Sequence, residues 1–209
     1  MKEFASLLEV ATVLNSPEGC PWDLEQTFAS LRPYVLEEAH EVLEAVDTDD
    51  DQQMIEELGD LFYTVIFYAK VAERENRFSI KEILEQLRAK LIRRHPHVFG
   101  EEKAKSMEEV IQKWERVKDG ENASKGRKSA LDGIPITLPS LQKAQKLMGR
   151  IKKHGERFET RAPVDREEEL AEKLLGMVEV ANEEGIDLEC ALQKVLRKKE
   201  ADFRLSELQ

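Results

Sequence analysis

The chain has 209 residues, of which 36% are charged and 6% aromatic, and its formal net charge is −11. That length suits one large domain or two small ones. An aromatic-poor composition in which no stretch alternates β-branched with polar residues excludes a β-sandwich and points to an all-α protein. The acidic balance excludes a general nucleic-acid binder, which needs clustered Lys and Arg against phosphate.

The two cysteines, Cys20 and Cys190, lack metal-ligand spacing, which predicts a reduced, cytoplasmic protein without a disulfide framework. The N-terminal MKEFASLLEVATVL carries Glu3 and Glu9 inside an apolar pattern, so it reads as an amphipathic helix and not as a secretory signal. No apolar run approaches the ~20 residues of a membrane span, so no membrane partner is expected.

The first helix is predicted over 3–14, with Phe4, Leu7, Leu8, Ala11 and Leu14 on one face. Two prolines and a glycine between Asn15 and Pro21 end it in a loop. Trp22 is predicted to stay in that loop, helical periodicity resuming near Thr27. An aromatic ring there serves either as a stacking wall for a nucleobase or as a plug for the end of a helical bundle.

Residues 31–66 form the centre of the sequence. Apolar residues recur at helical spacing on both sides of the Asp-rich turn at 47–51, which predicts two antiparallel amphipathic helices. Acidic clusters sit on each: Glu37, Glu38 and Glu41 on the first, Glu57 and Asp60 on the second. Residues that face each other across an antiparallel hairpin have a constant sum of residue numbers. Glu38 with Asp60 and Glu41 with Glu57 share one sum, centred on Asp49. Within each helix the members are three apart and share a face. Four carboxylates at matched heights repel strongly unless they are solvated or held by a cation. Hard oxygen donors at this density suit Mg²⁺ or Mn²⁺ better than zinc. The alternative is a solvated acidic helix face.

The second helix is predicted to run to about Asn76, with Gly59 inside it. Ser79, with Glu82 three residues on, signals the cap of a helix over 80–94. Lys90 and Arg94 lie four apart on one face of its last turns. They read either as a phosphate clamp or as basic residues answering the helix dipole. His95 and His97 flank a proline, and this pattern alone is weak evidence for a metal site. Ser106, with Glu109, caps a helix predicted over 107–118, on which Trp114 and Lys118 share a face. Residues 119–130 are polar with two glycines and read as a linker. Beyond it, 172–203 parallels 60–99: an apolar helix, a polar turn, then a helix ending in basic residues. Glu169 and Glu172 stand where the second acidic cluster would be, yet no helix with a Glu-Glu-x-x-Glu pattern precedes them.

Several of these stretches resemble the MazG family of nucleoside triphosphate pyrophosphohydrolases. The Glu-Glu-x-x-Glu and Glu-x-x-Asp pair carries the likeness. So do Cys20-Pro21-Trp22-Asp23, Ser30-Leu31-Arg32-Pro33-Tyr34, Arg93-Arg94-His95-Pro96-His97-Val98-Phe99, Trp114-x-x-x-Lys118 and Leu131-Asp132-Gly133-Ile134-Pro135. The match covers roughly residues 5–135. Phe28 departs from it, standing where the family usually has His. The resemblance implies an all-α, MazG-like helical bundle completed by dimerisation, with a catalytic domain over 1–118, a linker over 119–130 and a shortened second copy over 131–209. It further implies Mg²⁺-dependent cleavage of nucleoside triphosphates into monophosphate and pyrophosphate. Glu38, Glu41, Glu57 and Asp60 would hold the metal. Lys90, Arg94 and Lys118 would meet the phosphates, and Trp114 and Trp22 would lie near the substrate. Glu37 either orients or deprotonates the water or accepts a hydrogen bond behind the metal ligands. Two alternatives remain: a related hydrolase of dUTP or phosphoribosyl-ATP, and a metal- or nucleotide-binding interaction protein without catalysis.

Overall fold

The computed structural model describes residues 2–124, 126–156 and 162–207. Among these described residues ten helices follow in order: α1 Lys2–Leu14, α2 Pro21–Glu25, α3 Arg32–Thr48, α4 Asp51–Arg74, α5 Ile80–Arg94, α6 Pro96–Phe99, α7 Met107–Ser124, α8 Ser140–Lys153, α9 Arg166–Glu184 and α10 Leu188–Glu207. Among the described residues no strand forms, and no helix is long and apolar enough to cross a membrane. The chain divides into two units, Met1–Trp114 and Glu115–Gln209, the division falling within α7.

The antiparallel pair of α3 and α4 organises the first unit. Asp49 closes α3 in the left-handed region at φ 56°, its backbone N–H bonding the Ala45 carbonyl. Asp50 then caps α4, its carboxylate accepting from the N–H groups of Gln52 at 2.9 Å and Gln53 at 3.1 Å. This two-residue turn fixes the register, because it satisfies donors that would otherwise be orphaned at the start of α4. Leu31, Phe67 and Val71 form the buried cluster, with Phe28, Tyr63 and Tyr68 packed around it. Leu31 and Phe67 belong to the same constant-sum series as the acidic pairs. Phe4 of α1 leans on Phe62 of α4 with ring centroids 5.9 Å apart.

Burial along α4 is uneven. Thr64, Ile66, Phe67, Ala69, Val71 and Ala72 are buried, all in its C-terminal half. The half nearer the turn, which carries the acids, leaves Ile55 67% and Leu58 49% exposed. α5 starts where the sequence predicts, with Ser79 and Glu82 making a reciprocal capping box.

Three differences from the sequence reading stand out. Trp22 lies in a helix and not in a loop: Pro21 opens the five-residue α2, too short to show a period. Residues 26–31 are not helical, and the long helix resumes at Arg32 and not near Thr27. The helix predicted over 107–118 runs on to Ser124, through the first part of the predicted linker.

In the second unit, α8 packs on α9 and α10 through paired amides. Gln145 donates to Asn182 Oδ1 at 3.2 Å and to the Ile186 carbonyl at 2.8 Å, and it accepts from the Leu188 N–H at 3.0 Å. Asn182 donates back to the Gln145 carbonyl. Gly185, at φ 70°, ends α9 in the conformation that glycine adopts without penalty.

Candidate active site

α3 and α4 bring three of the predicted ligands together. Carboxylate oxygens of Glu38, Glu41 and Glu57 all lie within 4.8 Å of one another, and each side chain is half-buried. Asp60 is exposed and lies outside that set, one turn along α4 from Glu57. Its charge nevertheless reaches Glu38. Partial burial pushes the Glu38 carboxyl above its ordinary value, and the charges of Asp60, Glu41, Glu57 and Glu37 push it further, in that order. Desolvation likewise raises Glu57, with Glu41 the strongest neighbouring charge. The strongest electrostatic partner of each raised acid is thus the one across the hairpin at matched height. Glu37 is exposed on α3 beside the set.

The donor set fits a hard divalent cation. It contains oxygen ligands only, from two rigid helices, and two of its members sit above their ordinary pKa through desolvation and the negative charge of their neighbours. No imidazole or thiolate joins the cluster among the described residues, so nothing in it favours zinc.

The cations sit on α5, after the hairpin. Lys90 is exposed and, among the described residues, has no ion-pair partner. Arg94, half-buried, places its guanidinium over the Trp114 ring at 5.5 Å from the centroid. That distance is within cation–π range. It joins two residues that the sequence reading put near the substrate without relating them to each other. Lys118, half-buried, lies one turn beyond Trp114 on α7, past the division between the units. His95 and His97 place their ring centroids 5.6 Å apart, and His95 Nδ1 bonds the Leu91 carbonyl at 2.7 Å.

Trp22 stands at the other end of the hairpin from the Asp-rich turn. It meets Tyr34 edge-on, centroids 5.8 Å apart, and Phe67 at 6.0 Å, and it remains 48% exposed. Tyr34 is one turn from Glu38 along α3, about 6 Å of axial rise. The aromatic group thus flanks the carboxylates. Sequence reasoning named the neighbouring Asp23, which is buried, only as part of a family landmark, and it missed Arg74, which binds the chain on both sides of α2. Nothing periodic marks either residue.

A carboxylate-lined α-hairpin followed by a basic helix end defines a class of all-α proteins suited to a metal and a polyphosphate. The comparisons with known proteins narrow this. The family model of the MazG nucleotide pyrophosphohydrolase domain matches residues 26–99, which span both acidic helices, Lys90 and Arg94. The chain is 40% identical over 228 aligned residues to the nucleoside triphosphate pyrophosphohydrolase of Escherichia coli K12, covering 98% of this chain and 87% of that protein. It is 35% identical to the nucleoside triphosphate pyrophosphohydrolase/pyrophosphatase MazG of Thermotoga maritima, covering 93% of this chain and 82% of that protein. A crystal structure of a mazG-related protein from Thermotoga maritima aligns at TM-score 0.48 and 31% identity, over 55% of this chain and 98% of that one. The chain belongs to the MazG nucleotide pyrophosphohydrolase family.

Proposed function

We propose that this protein hydrolyses nucleoside triphosphates to nucleoside monophosphate and pyrophosphate, using Mg²⁺ held by Glu38, Glu41, Glu57 and Asp60. The observation that carries the reading is the convergence of three carboxylates from two helices within 4.8 Å, in a chain of this family. When bound, the cation neutralises phosphate oxygens and makes water a better nucleophile. Mn²⁺ satisfies the same donor chemistry. The chain's own residues supply the rest. Water forms a bond to the α-phosphorus while the bond from that phosphorus to the β-bridging oxygen breaks, and the electron pair leaves with pyrophosphate. Lys90 and Arg94 offset charge on the departing phosphates. Glu37, beside the cluster, takes the water's proton or supports the ligands behind it, and Glu37→Gln separates the two roles. Trp22 and Trp114 present π-faces to the base, a contact that tolerates many bases.

A homodimer goes with this reading. The apolar residues around the acids, Ile55 and Leu58 on α4 and Leu36 on α3, are exposed. A second copy covers them at the height of the metal ligands. A cytoplasmic location, where the nucleotide pool is made, completes the reading. The C-terminal unit is proposed to be a shortened second copy without a metal site of its own.

The test is incubation of the purified protein with Mg²⁺ and a panel of nucleoside triphosphates, the products being resolved by chromatography. Monophosphate and pyrophosphate are expected, with at least a hundredfold loss in the Asp60→Asn and Glu38→Gln proteins. Diphosphate and phosphate would overturn the assignment of the cleaved bond. Binding without turnover would favour the interaction reading.

A further inference from the structure

We propose that Arg74 is the positioning residue for the base-binding end of the site: its guanidinium locks α2, and with it the Trp22 ring, onto the hairpin. The proposal rests on the reading of Trp22 as a nucleobase wall and adds what holds that wall in place.

α2 has five residues, too few to be stable by itself. The chain on either side of it, 15–20 and 26–31, has no long helix to anchor it. Arg74, in the last turn of α4, supplies the anchor. Its Nη1 donates to Asn15 Oδ1 at 3.0 Å, before α2, and to the Asp23 carbonyl at 2.8 Å, within it. Its Nη2 donates to the Gln26 carbonyl, just after it. One planar fork therefore ties down three points that bracket Trp22. The guanidinium has no carboxylate partner among the described residues, so its whole charge is directed at carbonyl and amide oxygens. Two of these belong to the C-terminal end of α2, where a positive charge is favourable. The same helix supplies the platform, because Phe67 lies two turns before Arg74 and carries the Trp22 ring. Without the clamp, the Trp22 ring is left with its contacts to Phe67 and Tyr34, in a residue that is 48% exposed. Lysine cannot replace the fork, since an ammonium is a point charge on a flexible stem.

A residue that merely stabilises the fold and one that aims a base wall differ in what they change. The test compares Arg74→Met, Arg74→Lys, Trp22→Ala and the Arg74→Met/Trp22→Ala pair. The readouts are KM and kcat for a nucleoside triphosphate and the inhibition constant of inorganic tripolyphosphate, which has no base. Arg74→Met is expected to raise KM about tenfold, the scale of one aromatic–base stack. It should leave kcat within about twofold, leave tripolyphosphate inhibition unchanged, and add nothing to Trp22→Ala. Arg74→Lys should fall between. The chain has two tryptophans, so Trp114→Phe isolates the Trp22 emission. In that background Arg74→Lys should increase acrylamide quenching, a readout independent of turnover. Unchanged KM and quenching would overturn the proposal, as would a parallel weakening of tripolyphosphate. If Trp22→Ala raises KM and Arg74→Met does not, only the role of Arg74 fails. If Trp22→Ala changes nothing, the wall itself fails and the proposal falls with it. Should Arg74→Met not fold, Arg74→Lys and Asn15→Ala carry the same comparison.

Discussion

Glu38 and Glu57 face opposite demands with and without a cation. Desolvation and neighbouring charge raise both above the ordinary value of 4.5. Between that value and the raised one, the folded protein binds more protons than the unfolded chain, so stability falls as pH climbs through this window. Glu82 and Glu169 shift the other way, held down by their hydrogen bonds, and their contributions are lost only as pH falls below the ordinary value. The carboxylates raised into the window above 4.5 are both on the hairpin. In EDTA the melting temperature should fall across it, and Glu57→Gln should flatten that fall and melt higher than the wild type at pH 7.5. With Mg²⁺ the order should reverse, because the variant loses a proposed ligand. Thermal scans with and without Mg²⁺ check both signs, and a variant that keeps the full Mg²⁺ gain would remove Glu57 from the ligand set. These acids were legible in the sequence because an antiparallel hairpin converts spacing into height. Arg74 was not. Its three acceptors lie 48 to 59 residues away, and no local pattern reports such a contact.

At the scale of elements, helix ends decide the register on which the site depends. Asp50 satisfies two N–H groups at the start of α4, directly across the turn from α3. Asp50→Ala should cost about 1 kcal/mol, or about 2–4 °C in melting temperature for a chain of this size. Differential scanning calorimetry reads the shift, and an unchanged midpoint would show that water replaces the cap without loss. Caps were also what made α5 legible, since the Ser79–Glu82 box sets its start as printed in the sequence. α7 shows the converse. Gly120 is one of two glycines in the polar stretch 119–130 that reads as a linker, but one glycine costs a helix only about 1 kcal/mol, and nothing crowds it. The helix continues to Ser124, and Gly126 adopts a positive φ of 68° just beyond its end. α2 escaped notice for a different reason: five residues are fewer than two turns, so no periodicity exists to detect.

At the scale of the whole molecule, the second unit and the proposed dimer raise separate questions. In the second unit Glu169 stands, in the sequence parallel, where a proposed metal ligand would be, yet its carboxylate is paired with Arg166 at 2.8 Å and Lys173 at 2.6 Å. The helix before it, α8, packs on α9 but carries no acidic residue, so it offers no carboxylates to α9 as α3 does to α4. Glu169→Gln with Glu172→Gln should therefore leave kcat and the Mg²⁺ requirement within about twofold of wild type. A large loss in a steady-state assay would give this unit a catalytic role. The proposed dimer would meet at α4. Its C-terminal half is buried by its own unit, whereas Ile55 and Leu58 remain exposed beside Glu57. Burying such side chains is worth about 1.5–3 kcal/mol each, and an apolar strip around a metal site is what a partner would cover. Sedimentation equilibrium should give a dimer, and Ile55→Asp should shift it toward monomer and lower turnover together, since the same contact covers the apolar strip and dries the carboxylates. A monomer with full turnover would show that one hairpin holds the metal by itself, and that the exposed strip serves something other than catalysis.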